Sequence, residues 1–251
     1  MADPVASPDA RVALLERLID HAPTFPPASL PPAEALAEDR RARASEHSFI
    51  LSRLVWPARR LDELGDEQRE LSVIADGPVP DDPRIEAIEV PPGRNMDYGG
   101  RTRAVYLELS PGADGEDGAI ASLGRLRLVG AKIRCGGAVT PSIEQLAGFI
   151  RACRRHGVPF KATAGLHHAV RCSDEHGFLN LLAAVVFGDE EAALAEEDNS
   201  AFSLDRESFR WCDREAGCAE LATARRERLR AIGSCSFFEP VEELRALGML
   251  P

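Results

Sequence analysis

The chain has 251 residues, of which 44% are hydrophobic, and a formal net charge of -11. That length suits one large domain with a sizeable core, and the surplus of carboxylates excludes the basic face that phosphate neutralisation requires, so no nucleic-acid partner is expected. No apolar run reaches the ~18 residues of a membrane span and the first residues carry no basic start or apolar signal core, so the expectation is a cytoplasmic protein without membrane contact.

Taken in order, residues 1–9 read as disordered. Leu14, Leu15, Leu18 and Ile19 recur at helical spacing over 12–19, and a proline-rich turn, FPPASLPP, then stops the helix. Pro32 suits the first turn of a second helix running to about residue 45. These pieces, residues 1–47, read as an N-terminal helical extension that packs on, or plugs one end of, a main domain over 48–251.

From residue 48 the pattern repeats. Strand-like apolar runs fall at 49–56, 71–75, 85–90, 104–109, 129–133, 160–163, within 201–211, and at 229–235. Helical stretches lie between several of them, at 58–68, 120–126, 142–156, 178–197 and 220–228. Eight strands alternating with helices predict an α/β fold, a (β/α)8 TIM-like barrel. The connection over 77–84 is shorter than a parallel crossover normally needs, and 91–103 is rich in Gly and Pro, so the barrel is expected to be irregular around strands 2 to 4.

Charge usage marks a candidate site. Of 30 basic residues 28 are arginine, and the only lysines, Lys132 and Lys161, sit inside apolar strand-like segments. A lysine can shed its proton and act as base or imine-forming nucleophile, whereas arginine stays charged. The two segments flank the helix at 142–156, forming one βαβ unit whose strands should lie side by side, so the two amines can approach each other.

Barrels place their reacting groups at the C-terminal strand ends. Those ends carry Arg53, Glu89, Glu108, Lys132 with Arg134, and Lys161 with Thr163 and His167. The catalytic candidates are therefore Lys161, Lys132, Glu108, Glu89 and His167. Gly233, Ser234 and Ser236 precede a helix after the last strand, where barrels hold anions. With Arg53, Arg134, Thr163 and Arg171, the serines Ser234 and Ser236 form the expected substrate-binding set for a small anionic molecule.

No metal ligands and no cofactor are assigned. His167, His168 and His176 match none of the familiar metal-binding spacings. Six cysteines scattered without a CxxC pair read as reduced thiols, neither a disulfide framework nor a zinc site. Self-association is left open.

The segments LVGAKIRCGG and VPFKATAGL, with their intervening helix, resemble the fifth and sixth strands of the deoxyribose-phosphate aldolase-like class I aldolases. The resemblance covers roughly 40 residues. It implies a barrel, with Lys161 matching the imine-forming lysine of that family's FxKTSTG strand and Lys132 the lysine of the preceding strand. The family carries a further lysine in a KPAGG-like strand, and no lysine follows Lys161 in this chain. The wider pattern LIDHAPTFPPASLP, KIRCGG, FKATAGLHH, HGFLN and IGSCSFFEP resembles an uncharacterised bacterial protein family, which implies no activity.

Three readings follow. The first is an aldolase-like lyase with Lys161 as Schiff-base former, Lys132 lowering its pKa, and Glu89 or Glu108 moving protons. In the second, Glu89 and Glu108 hold magnesium for enolate chemistry in an isomerase or lyase. The third is a non-catalytic barrel that binds a small acid or a partner, its charges forming a core network.

Overall fold

A computed structural model describes residues 9–94, 103–137 and 140–250. Helix α1 (Ala10–Leu15), capped by the Asp9 carboxylate, leads through Arg17, at positive φ, into strand β1 (Ile19–His21). Helix α2 (Pro32–Arg43) follows the proline turn, and β2 (Leu51–Pro57), β3 (Leu71–Ile74), β4 (Ile85–Val90) and β5 (Ala104–Glu108) come next. Then α3 (Glu116–Leu123), β6 (Val129–Arg134), α4 (Ile143–His156), β7 (Phe160–Thr163), α5 (Phe178–Phe187) and α6 (Glu190–Ala195) alternate. A small antiparallel sheet of β8 (Phe202–Leu204), β9 (Ser208–Trp211) and β10 (Arg214–Gly217) precedes α7 (Cys218–Glu227), β11 (Leu229–Ser234) and α8 (Phe238–Ala246).

Eight parallel strands close a barrel in the order β1, β2, β3, β4, β5, β6, β7, β11 and back to β1. The expected TIM-like barrel is therefore the fold, with two corrections to its strands. The first strand is Ile19–His21, which joins β11 to β2 and lies within the 1–47 segment expected to be a helical extension. The run within 201–211 is not a barrel strand; it forms β8 and β9 of the outer sheet. Lys132 and Lys161 thus stand on the sixth and seventh barrel strands, not the fifth and sixth.

Helical connections are thin on one side: no helix separates β3 from β4, as expected, whereas the helix expected at 58–68 is instead a set of 3-10 turns over Ala58–Leu64. The expected disorder of 1–9, apart from Asp9, and most of the 91–103 connection fall outside the described residues. The helix expected at 178–197 is two helices, broken where Gly188 adopts positive φ.

Strand alternation explains what the barrel encloses. On β6 the apolar Val129, Ala131 and Ile133 face outward to the helices, and on β7 Phe160 and Ala162 do the same. Phe160 meets Phe149 of α4 edge-on with ring centroids 5.4 Å apart, a geometry worth ~0.5–1.5 kcal/mol beyond area burial. Packing those apolar faces against α3 and α4 forces Lys132, Arg134, Lys161 and Thr163 to the inside. Both ends of helix α4 are fixed, since Ser142 and Gln145 form a reciprocal capping box and Gly157 closes the helix in left-handed conformation.

Candidate active site

Register places the charged residues of adjacent strands shoulder to shoulder. Lys132 pairs with Lys161 across β6 and β7, and Glu108 pairs with Lys132 across β5 and β6. Two amines at neighbouring interior positions would repel, and carboxylates from the other strands lie between them. The Lys161 ammonium donates to Asp20 Oδ2 at 2.6 Å and to Glu89 Oε1. Glu89 Oε2 lies 2.8 Å from Lys132 Nζ, which is also 3.0 Å from Glu108 Oε2. Ser72 donates a hydrogen bond of 2.7 Å to Glu89 Oε1. An alternating chain Asp20–Lys161–Glu89–Lys132–Glu108 therefore crosses the barrel interior.

Burial grades this chain. The side chains of Asp20 and Lys161 are fully enclosed and that of Glu89 nearly so, whereas Lys132 keeps 6% and Glu108 14% of its side-chain surface. Enclosing isolated charges costs several kcal/mol each, and only alternation of sign with short hydrogen bonds offsets that cost. Burial pushes the Lys161 amine down, but Asp20 and Glu89 outweigh it and hold its pKa above the ordinary value. Burial likewise pushes Asp20 up, and Lys161 with Arg53 brings it below the usual carboxylate range. For Glu89, burial is overcome by Lys132 and Lys161, so it too is lowered.

Above the chain, at the C-terminal strand ends, opens a cavity of about 660 Å3. Glu89, Glu108, Lys132 and Lys161 contribute to its floor, and Arg134, Thr163, His167, Ser234 and Cys235 to its walls. Ala22, Phe25 and the Pro26–Pro27 pair from the proline turn cover one side. Two glycines shape the rim: Gly136 and Gly165 approach so closely that a Cβ on either would lie 2.6 Å from the other's Cα. Gly165 also holds φ +65°, which disfavours any side chain there.

Arg134 is the exposed cation of this wall, and among the described residues no carboxylate pairs with it. Of the expected substrate-binding residues, Arg134, Thr163 and Ser234 line the cavity, and Arg53, Arg171 and Ser236 do not. Arg53 is one pleat before the cavity-lining Val55 and is held by Glu86 at 3.0 Å and by Asp20. Arg171 turns to Glu197 at 3.5 Å. Ser236 stands one residue before the N-cap of α8, its hydroxyl accepting from the Glu239 amide at 3.3 Å.

Asp20 is the functional candidate the sequence does not offer, since it stands between the helix expected over 12–19 and the proline-rich turn. His167 sits in the cavity wall, 3.8 Å from Glu239 Oε2, and His168 turns to Glu243 at 2.9 Å. His176 is enclosed, Nε2 2.8 Å from the Pro141 carbonyl. The expectation of Glu89 and Glu108 as magnesium ligands does not fit this geometry: both oxygens of Glu89 are engaged by ammonium groups, and Glu108 is bound to Lys132.

Comparison with protein-family models, with curated proteins and with solved structures finds no match for this chain. Among the described residues no helix is long and apolar enough to cross a membrane.

Proposed function

We propose that this barrel is an enzyme of aldolase-like lyase type that forms an imine with a small anionic carbonyl compound, and that the reacting amine is Lys132. The observation that carries this reading is the position of Lys132 Nζ: on the cavity floor, between Glu89 at 2.8 Å and Glu108 at 3.0 Å. Lys161, favoured by the aldolase resemblance, is the poorer nucleophile, because its side chain is fully enclosed where that of Lys132 keeps 6% of its surface, and because Asp20 and Glu89 hold its pKa above the ordinary value. Its part is to keep Glu89 charged and in place.

The chemistry balances within the residues present. Glu108 takes one proton from the Lys132 ammonium, and the free amine attacks the carbonyl carbon to give a carbinolamine. Return of that proton to the hydroxyl expels water and leaves an iminium. An iminium carries the same positive charge as the ammonium it replaces, so the two carboxylates that hold Lys132 stabilise the intermediate as well. The iminium draws electrons from the adjacent carbon: Glu108 takes the proton of a hydroxyl on the next carbon, the carbon–carbon bond between them breaks, an aldehyde leaves and an enamine stays on Lys132, which a returning proton and water convert to the second product and the free amine.

Arg134 sets the substrate class. It follows Lys132 by two residues on the same face of β6, so the two Cα atoms stand ~6–7 Å apart along the strand. A carboxylate or phosphate on the guanidinium leaves a carbonyl a few bonds away over the amine. Arginine offers two parallel donors to such a group.

Incubation with short keto acids and phosphorylated aldehydes, followed by borohydride reduction and intact-mass measurement, tests this. A covalent adduct of one substrate per chain is expected. Ligand-induced stabilisation without any reducible adduct across the panel would instead support the non-catalytic acid-binding barrel.

A further inference from the structure

We infer that His167, Cys235 and Glu239 form a binding site for a zinc-class divalent cation at the cavity wall, with one coordination position open to the cavity. The three residues are separated by up to 72 positions in sequence, yet one ligand atom from each lies within 4.8 Å of the other two. His167 Nδ1 and Glu239 Oε2 are 3.8 Å apart. Ligand atoms on a tetrahedral zinc, at its usual bond lengths, stand roughly 3.3–3.6 Å from one another. Small side-chain adjustments therefore bring the set onto an ion.

The donor set and its setting favour zinc over magnesium or calcium. One imidazole, one thiolate and one carboxylate mix soft and borderline donors, whereas the harder cations take oxygen ligands throughout. Three protein ligands plus an open position is the arrangement of zinc sites that act on substrates. Here that position is directed to the cavity, because His167 and Cys235 both form part of its wall while Glu239 approaches from the first turn of α8. Cys235 is held immediately after β11, its side chain mostly enclosed, and Ser236 fixes the start of α8 through the Glu239 amide. The carboxylates Glu89 and Glu108 do not compete for the ion, being bound to the lysines. The site is independent of which amine reacts.

Metal-stripped full-length protein is titrated with zinc, and separately with cobalt as a spectroscopic substitute. The expected result is one equivalent bound, a raised melting temperature, and a thiolate-to-cobalt charge-transfer band with tetrahedral ligand-field absorption. Cys235→Ser should abolish the charge-transfer band, and both it and His167→Ala should weaken zinc binding by ~100-fold or more, beyond the loss seen for residues that merely support a ligand. Circular dichroism of the metal-free variants checks that the fold persists, and Glu239→Gln provides a third variant at an exposed position should either of the others fail to fold. Binding of less than one equivalent, or equal affinity in wild type and in the folded variants, overturns the inference and leaves His167 and Glu239 as a simple ion pair. Neither result touches the imine test, which reads carbonyl adducts and not metal.

Discussion

Replacing Lys161 by Met removes the fully enclosed cation of the buried chain and keeps the side-chain volume nearly constant. Asp20 and Glu89 then lose a hydrogen-bonded ammonium from each, while Asp20 keeps the Arg53 amide at 3.1 Å and Glu89 keeps Ser72 at 2.7 Å and Lys132 at 2.8 Å. Removing one partner of a buried ion pair costs about 3–5 kcal/mol, and the surviving contacts place this case near 3. For a domain of this length that corresponds to a fall in melting temperature of roughly 6–12 °C. The pH dependence has a definite sign. The lowered carboxylates contribute stability that is present above their unfolded values near ~4 and lost as pH falls through the folded ones, and the raised Lys161 contributes stability that is present below ~10.4 and lost as pH rises through its folded value. Urea denaturation of wild type and Lys161→Met across that range, with Asp20→Asn and the double variant to complete a cycle, measures the coupling. A loss below ~1 kcal/mol at neutral pH, with no coupling to Asp20, would refute the interior charge chain.

Three further outcomes follow from other parts of the molecule. Buried His21 lies 3.2 Å from Asp39 Oδ1 and 3.5 Å from Glu38 Oε1, while Arg69 and Arg43 hold the far side of Asp39. Burial lowers its pKa but these carboxylates raise it further, so its stabilising charge is fully present below ~6.5 and lost as pH rises through the raised value; urea midpoints should decline over that range in wild type and much less in His21→Gln. Arg134→Gln should leave the melting temperature of the ligand-free protein within the equivalent of ~0.5 kcal/mol and abolish the shift produced by small carboxylates or phosphates. Gly165→Ala should cost about 1–3 kcal/mol by chemical denaturation, since the added Cβ meets the Gly136 Cα at 2.6 Å and φ is +65°.

Much of the barrel was legible because its apolar runs are strand-length and β-rich on the outward face, as in Val129, Ala131 and Ile133. The first strand escaped notice for two reasons. It is only three residues long, and its inward residue is Asp20, so Leu14, Leu15, Leu18 and Ile19 read as one helix that in fact ends at Leu15. The outer sheet drew the opposite error: Phe202, Leu204, Phe209 and Trp211 are as apolar as barrel residues, and hydropathy does not reveal which surface covers them. The lysine pair was legible through its rarity against 28 arginines, and Glu89 and Glu108 through their position inside apolar strands. Partner choice was not. Whether Lys161 meets a cation or carboxylates depends on strand register around the closed barrel, and that register includes the strand the sequence concealed. Arg53 shows the same limit, since its place at a strand end predicts a substrate contact while its partners Asp20 and Glu86 come from other strands.

Peptide mapping of the borohydride-trapped adduct tests the central claim most directly. With the best-trapped carbonyl compound, labelling should fall on Lys132, vanish in Lys132→Arg, and persist at a reduced rate in Lys161→Arg. Labelling confined to Lys161, with Lys132→Arg trapped as efficiently as wild type, would contradict the assignment of Lys132 as the reacting amine.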